Sequence, residues 1–246
     1  MPSSAPVAEA IARMEAILAP LRPSDGVACF ARLYLAVTES VQARLAGMTF
    51  ADPRFLAQLD ASFADLFFQA VDASSRDPRG VPRAWAALFE ARSRKGVAPL
   101  QFAFAGMNAH INRDLPVALV TSCERSKIAL ARGSPQHDDY MRINKVLAAV
   151  EAQVKQQYLG GWLRRLDRLL HRVYRIDDVL AMWDVARARD TAWVNAEALW
   201  AIRGDRELYD DYLAALDRTV GFAGRGLLVP ADTWLQRLGR AFKLLV

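Results

Sequence analysis

The stretch FAFAGMNAHINRDLPVAL, residues 102–119, is apolar at both ends and polar in the middle, with Asn108, His110, Asn112 and Asp114 close together. At about 100° per residue, a helix stacks His110 and Asp114 on one face and Asn108 and Asn112 on a roughly opposite face. Phe104, Met107, Ile111 and Leu115 keep an apolar spacing between them. Polar groups on two sides with apolar groups between describe a helix packed all round. A bundle of helices around 102–119 follows. Buried polar side chains must find partners or cost about 1–3 kcal/mol each. Pro116 can give no N–H to the carbonyl of Asn112, and its ring pushes that carbonyl away, so a kink is expected there.

Three readings of the insert compete. In the first, His110 and Asp114 bond each other or neighbouring helices and lock the register of the bundle. In the second they line a small-molecule or catalytic pocket, His110 as acid or base and Asp114 as its orienting carboxylate. In the third they are two metal ligands on adjacent turns of a metal-dependent hydrolase. Two ligands are too few, and the remaining histidines, His137 and His171, stand in no zinc-binding run. No metal ligands are therefore assigned.

Upstream, Val7, Ile11, Met14 and Leu18 give a short amphipathic helix over 6–19, ended by Pro20 and Pro23. Ser24 and Asp25 offer an N-cap to a longer helix with Val27, Phe30, Tyr34, Val37, Val41 and Leu45 inward. Asp52-Pro53 caps another, whose Phe55, Leu59, Phe63, Leu66 and Phe67 read as core. The run 74–82 is a loop. Pro82 restarts a helix with Trp85, Leu88 and Phe89 inward, and Gly96 and Pro99 lead into the central stretch.

Downstream, the central helix is expected to run past Pro116 to about Arg132 and stop at Gly133-Ser134-Pro135. Residues 136–158 form the next helix, with Asp138 and Asp139 favoured at its N-terminus by the helix dipole. Asn144 lies beside its apolar face as a candidate partner for the central cluster. The basic amphipathic run 162–175 reads as a bundle helix with a solvated arginine face, the alternative being contact with a membrane surface. From Asp177 to about Arg203 runs a long helix with Arg189 as the only charge in its seam. A buried arginine needs a carboxylate or a bound anion, and Asp114 is the expected partner. Trp193 flanks that seam. A helix over 205–220, a loop from Gly221 to Gly226 and a terminal helix from Pro230 complete the expectation.

Of the 246 residues, 53% are hydrophobic and 24% charged, as in an ordinary globular chain. Cys29 and Cys123 make no disulfide framework, and the first residues carry no basic, apolar secretory pattern. A cytoplasmic protein is expected. The net charge of +5 permits anionic partners without demanding them. No phosphate-binding loop, dinucleotide fingerprint, nucleophile elbow or DNA-reading motif is present, so no nucleic-acid partner is expected and no cofactor is named.

The run GMNAHINRDLP, residues 106–116, resembles the signature of a family of uncharacterised, mostly bacterial proteins known only as a domain of unknown function. The likeness extends to Tyr34-Leu35, Asp52-Pro53, Phe63-Ala64, Val81-Pro82 with Trp85, Asn144-Lys145-Val146-Leu147 and Ala188-Arg189-Asp190, covering roughly residues 30–225. It implies a shared fold and brings no activity.

The expected architecture is a single all-α domain, residues 1–246, of about eight to ten helices, with 1–23 as a peripheral lead-in. The expected function is a small-molecule-binding protein or enzyme for a polar or anionic ligand. Its catalytic candidates are His110 and Asp114, and its ligand-binding candidates Asn108, Asn112, Asn144, Arg189 and Trp193. The alternatives are a non-catalytic helical interaction module and the metal-dependent hydrolase.

Overall fold

The structure is a computed structural model that describes residues 4–45, 47–147, 150 and 184–230. The described residues are all-α, without strands. Helices α1 (Ser4–Leu18), α2 (Gly26–Leu45) and α3 (Pro53–Arg76) are followed by a short 3-10 turn, Pro78–Gly80, and by α4 (Arg83–Ala91). Then come α5 (Pro99–Ala109), a π-helical turn (His110–Asp114) and α6 (Leu115–Ser126). A helix over 135–147 is α7; Val185–Ile202 is α8 and Arg206–Leu227 is α9.

Local caps and side chains from distant elements together fix the helix starts. Asp52 accepts from the Phe55 N–H at 3.0 Å, with Pro53 in the first turn of α3. Asp139, buried at the start of α7, accepts from the N–H groups of Ala51 and Asp52 at 3.1 and 2.7 Å, and so holds α7 against the approach to α3. Asp217 on α9 accepts from the N–H groups of Arg83 and Ala84 at 2.7 and 3.1 Å, supplying the cap that Pro82 cannot give α4.

Two main hydrophobic clusters result. Phe30, Phe67, Trp85, Leu88, Phe102 and Val220 belong to the first, built by α1 to α5 and α9. Leu59, Leu115, Leu119, Tyr140, Trp193 and Leu199 belong to the second, built by α3, α6, α7 and α8. The central stretch serves both, α5 lining the first and α6 the second. Met107 packs against both, and against a smaller cluster of Leu33, Ala103 and Val150. The π turn lies where the two main cores meet.

Where a kink at Pro116 is expected, the structure has this π turn. The Leu115 N–H bonds the His110 carbonyl five residues back, and Pro116, with no N–H to give, follows directly. Single π turns inside α-helices are found frequently at functional sites.

Two expectations need correction. The helix after Pro116 ends at Ser126, not Arg132. Lys127 turns into the left-handed region at φ 54°, its N–H bonds back to the carbonyls of Cys123 and Glu124, and Leu130 returns into the second core. The glycines from Gly221 to Gly226 form no loop but lie inside α9. A Cβ on Gly221 would sit 2.6 Å from the Arg83 carbonyl oxygen, and one on Gly224 would sit 3.2 Å from the Ala87 Cβ. They are small because α9 lies directly on α4. The basic run 162–175, the start of the long helix at Asp177 and the terminal helix beyond Pro230 lie outside the described residues.

Candidate functional site

Asp114 has no solvent exposure, and three N–H donors converge on its carboxylate. Trp85 Nε1 donates to Oδ2 at 2.8 Å, Arg113 donates to Oδ1 at 2.8 Å, and His110 Nδ1 lies 3.2 Å from Oδ2. The π turn carries His110 and Asp114, and α4 delivers Trp85. Because an ionised carboxylate only accepts, the proton of the neutral imidazole sits on Nδ1 and Nε2 presents a lone pair. His110 is 3% exposed, and its Nε2 has no hydrogen-bond partner among the described residues. Burial lowers the His110 pKa below the ordinary imidazole value, outweighing the Asp114 hydrogen bond and charge that raise it. The ring is therefore neutral.

Aromatic side chains enclose this imidazole. Phe63 stacks on it with centroids 3.6 Å apart and planes 8° from parallel, and Tyr34 meets it edge-on at 4.7 Å. Phe30 and Trp85 stand at 5.8 and 5.9 Å. The backbones of α2 and α3 do not approach closely here; the rings of Tyr34, Phe63 and Phe67 bridge the space between them. Tyr34, Asp60, Phe63 and Met107 are only half-buried, although they surround buried polar groups.

One turn before Phe63, Asp60 faces the same region. Its Oδ2 is out of contact with solvent and has no hydrogen-bond partner among the described residues. Burial pushes its carboxyl up to about 6, against the pull of the Arg189 charge. Tyr34 is raised well above an ordinary phenol, chiefly by burial and then by the charges of Asp60 and Asp114, so its hydroxyl stays a donor. Asp60 thus stands in electrostatic reach of Arg189, and Tyr34 in that of Asp60 and Asp114.

The pair of Arg189 with Asp114 expected from the sequence does not form. The Arg189 Nε, on α8, donates to the Asn144 Oδ1, and its guanidinium lies over the Tyr140 ring, 4.1 Å from the centroid. Asn144 in turn donates to the Asp190 Oδ1 at 3.2 Å, and the Tyr140 hydroxyl donates to the Arg189 carbonyl at 2.8 Å. Asp114 is already filled by its three donors, which leaves Arg189 to α7.

The other sequence candidates separate from this group. Asn108 donates to the Val220 carbonyl at 2.9 Å and so binds the central helix to α9, and Asn112 donates to the Asn108 Oδ1 at 3.0 Å within that helix. Trp193 packs against His137 and Tyr140 and donates to Glu197 at 3.0 Å, one ring removed from Arg189. Among the described residues, no three His, Cys, Asp or Glu side chains are placed to hold a metal ion, and no helix is long and apolar enough to cross a membrane.

Sequence reading passes over Asp60, Tyr34, Trp85 and Arg113 as members of the cluster. Asp60 carries a legible signal. It stands four residues after Leu56 and three before Phe63, a lone carboxylate inside an apolar stripe. That the Trp85 indole N–H meets Asp114 is a matter of how α4 packs.

A family of unknown function, DUF5995, matches the chain over residues 7–230. The chain belongs to this family. Its span is wider than the likeness read around residues 106–116, and it takes in every residue of the site just described. The comparisons with curated proteins and with solved structures give no match.

The Asp60 shift has a consequence for stability. Its folded pKa, about 6, lies above the value of 3.8 expected for a free carboxyl, so between them the folded state binds the extra proton. Its contribution favours folding at low pH and is lost as pH rises through 6. Asp60→Asn, neutral at every pH, is expected to stabilise the protein by about 1–2 kcal/mol at pH 7.5. The gain should shrink toward pH 4.5, as read from urea midpoints at the two pH values.

Proposed function

We propose that this chain binds a small polar molecule beside the His110 ring, and that His110 Nε2 takes a proton from it. The observation that carries this reading is the open Nε2: a buried acceptor with no partner among the described residues, on a ring whose other nitrogen Asp114 holds. Leaving such a group unpaired costs about 1–3 kcal/mol, a cost a ligand hydroxyl or N–H would remove. The carboxylate fixes tautomer and ring orientation, as a positioned general base requires. The Tyr34 hydroxyl supplies a donor beside it, and half-buried Tyr34, Phe63 and Met107 mark the approach. In this reading the protein is an enzyme of proton abstraction, with Asp114 as the positioning residue.

The rival reading is the packing lock, favoured by the Asp114 side of the cluster, where the carboxylate meets its donors and ties α4 to the π turn.

His110→Gln separates the two. On the binding reading the variant melts within a few degrees of wild type. A polar molecule that raises the wild-type melting temperature in a thermal-shift screen then leaves the variant unmoved. A large fall in the variant's melting temperature, with no compound in the screen acting on wild type alone, would assign the cluster to packing.

A further inference from the structure

Residues one apart on a helix do not face each other, yet Arg113 and Asp114 meet in the π turn, where Arg113 Nη1 donates to Asp114 Oδ1 at 2.8 Å. The pair lies in the interior, its side chains 15% and 0% exposed. The Nε of the same guanidinium stands 3.7 Å from a second carboxylate oxygen, Asp217 Oδ1. Both carboxylates hold α4: Asp217 accepts from the N–H groups of Arg83 and Ala84, and Asp114 from the Trp85 indole.

The two oxygens of Asp114 divide their partners. Oδ1 takes Arg113, while Oδ2 takes Trp85 and lies 3.2 Å from His110 Nδ1. Asp114 and His110 can share one proton or two. With one, it sits on Nδ1 and Nε2 is bare. With two, Nε2 carries an N–H, whether the second proton makes the ring an imidazolium or makes the carboxyl a donor to Nδ1. A carboxylate without exposure keeps its charge by pairing with a cation. Among the described residues, Arg113 is the permanent cation bonded to this one.

Resting on the reading of His110 as a base, we propose that Arg113 acts through Asp114 as a second positioning residue: its fixed charge keeps the pair to a single proton, held on Nδ1, and leaves Nε2 free to accept. An imidazolium formed at His110 then faces a carboxylate whose charge Arg113 already meets, so the proton is readily given up again. The other titratable groups around the ring are set apart from this exchange. Tyr34 on α2 meets the imidazole edge-on, and Asp60 on α3 acts on Tyr34. Arg189 on α8 is turned to Asn144 and Tyr140, and Asp217 on α9 faces Arg113. From α4 comes the uncharged Trp85 indole.

The test is nitrogen NMR of the imidazoles in the full chain, titrated with pH. The His110 signals are those lost in His110→Gln. In wild type at neutral pH, Nδ1 should carry the proton and Nε2 should be bare. Arg113→Gln removes the charge and should raise the pair's affinity for the second proton about tenfold, so that Nε2 protonates at higher pH. Arg113→Lys keeps the charge and should titrate close to wild type. A purely structural role would lower the melting temperatures of both variants and leave the ring's titration in place. An Nε2–H ring in wild type, a Gln variant that titrates with wild type, or equal rises in the Gln and Lys variants would overturn the assignment. If Arg113→Gln does not fold, wild type and Arg113→Lys decide: a bare Nε2 with one shared titration supports the assignment, and an Nε2–H ring in either sinks it. These spectra need no bound molecule. If they come out as expected while no compound acts in the thermal-shift screen, the binding reading falls and the control of the His110 proton by Arg113 stands.

Discussion

Asp114→Ala is expected to lose about 3–5 kcal/mol of folding stability. The substitution strands three donors at once: the Trp85 indole N–H, the Arg113 guanidinium and the His110 Nδ1–H. Among the described residues, Arg113 keeps a more distant carboxylate, Asp217, at 3.7 Å. No water replaces the lost oxygens readily, because the carboxylate has no exposure. Urea denaturation should show a lowered midpoint with an unchanged slope, the mark of lost stability rather than a changed denatured state. Asp114→Asn, which keeps the shape and one acceptor oxygen, should lose clearly less. Equal, small losses in both variants would mean that the three donors find other partners and that the carboxylate does not hold the cluster.

Gly106→Ala should cost about 3 kcal/mol, at the upper end of what one added methyl does to a packed core. A Cβ at this position would lie 2.3 Å from the Phe30 Cγ and 2.5 Å from its Cδ2. Phe30 has little freedom to retreat, being 1% exposed and set against Tyr34, Phe67 and Trp85. Any retreat also moves it relative to His110, which it contacts edge-on at 5.8 Å. Stability and the His110 site should therefore fall together. Phe30→Leu placed on top of Gly106→Ala should recover part of the loss, and a double-mutant cycle would read that coupling. Simple additivity would show that the two residues do not meet.

Gly106 and Gly221 illustrate a limit of reading glycine from sequence. Both lie inside helices, where glycine is locally unfavourable relative to alanine by about 1 kcal/mol. Local propensity therefore turns the glycines of 221–226 into a loop. In the folded chain α9 passes so close to the Arg83 carbonyl that Gly221 has no room for a methyl group. The compensation lies in another helix, far away in sequence.

The site shows the same division. His110 and Asp114 are legible because two polar residues four apart interrupt an apolar helix, and the π turn between them brings their side chains within 3.2 Å. Arg189 is legible as a charge in an apolar seam, and the same rule points to Asp60 between Leu56 and Phe63. The partners are not legible. Asp114 goes to Trp85 and Arg113 rather than Arg189, and Arg189 goes to Asn144 and Tyr140. Periodicity states that a polar group is buried, and burial states that it needs a partner. Several partners of suitable chemistry were present in the chain.

By itself, then, the sequence determined the all-α class, the central position of 102–119 and the need for buried polar partners. Those follow from spacing along one helix, which is a local property of the chain. The tertiary structure decided which partners meet, where α6 stops, and that Tyr34 and Phe63 close on the His110 ring while Arg189 goes to Asn144 and Tyr140. Such choices depend on the distances between helices, and those are set only when all the side chains compete for the same interior.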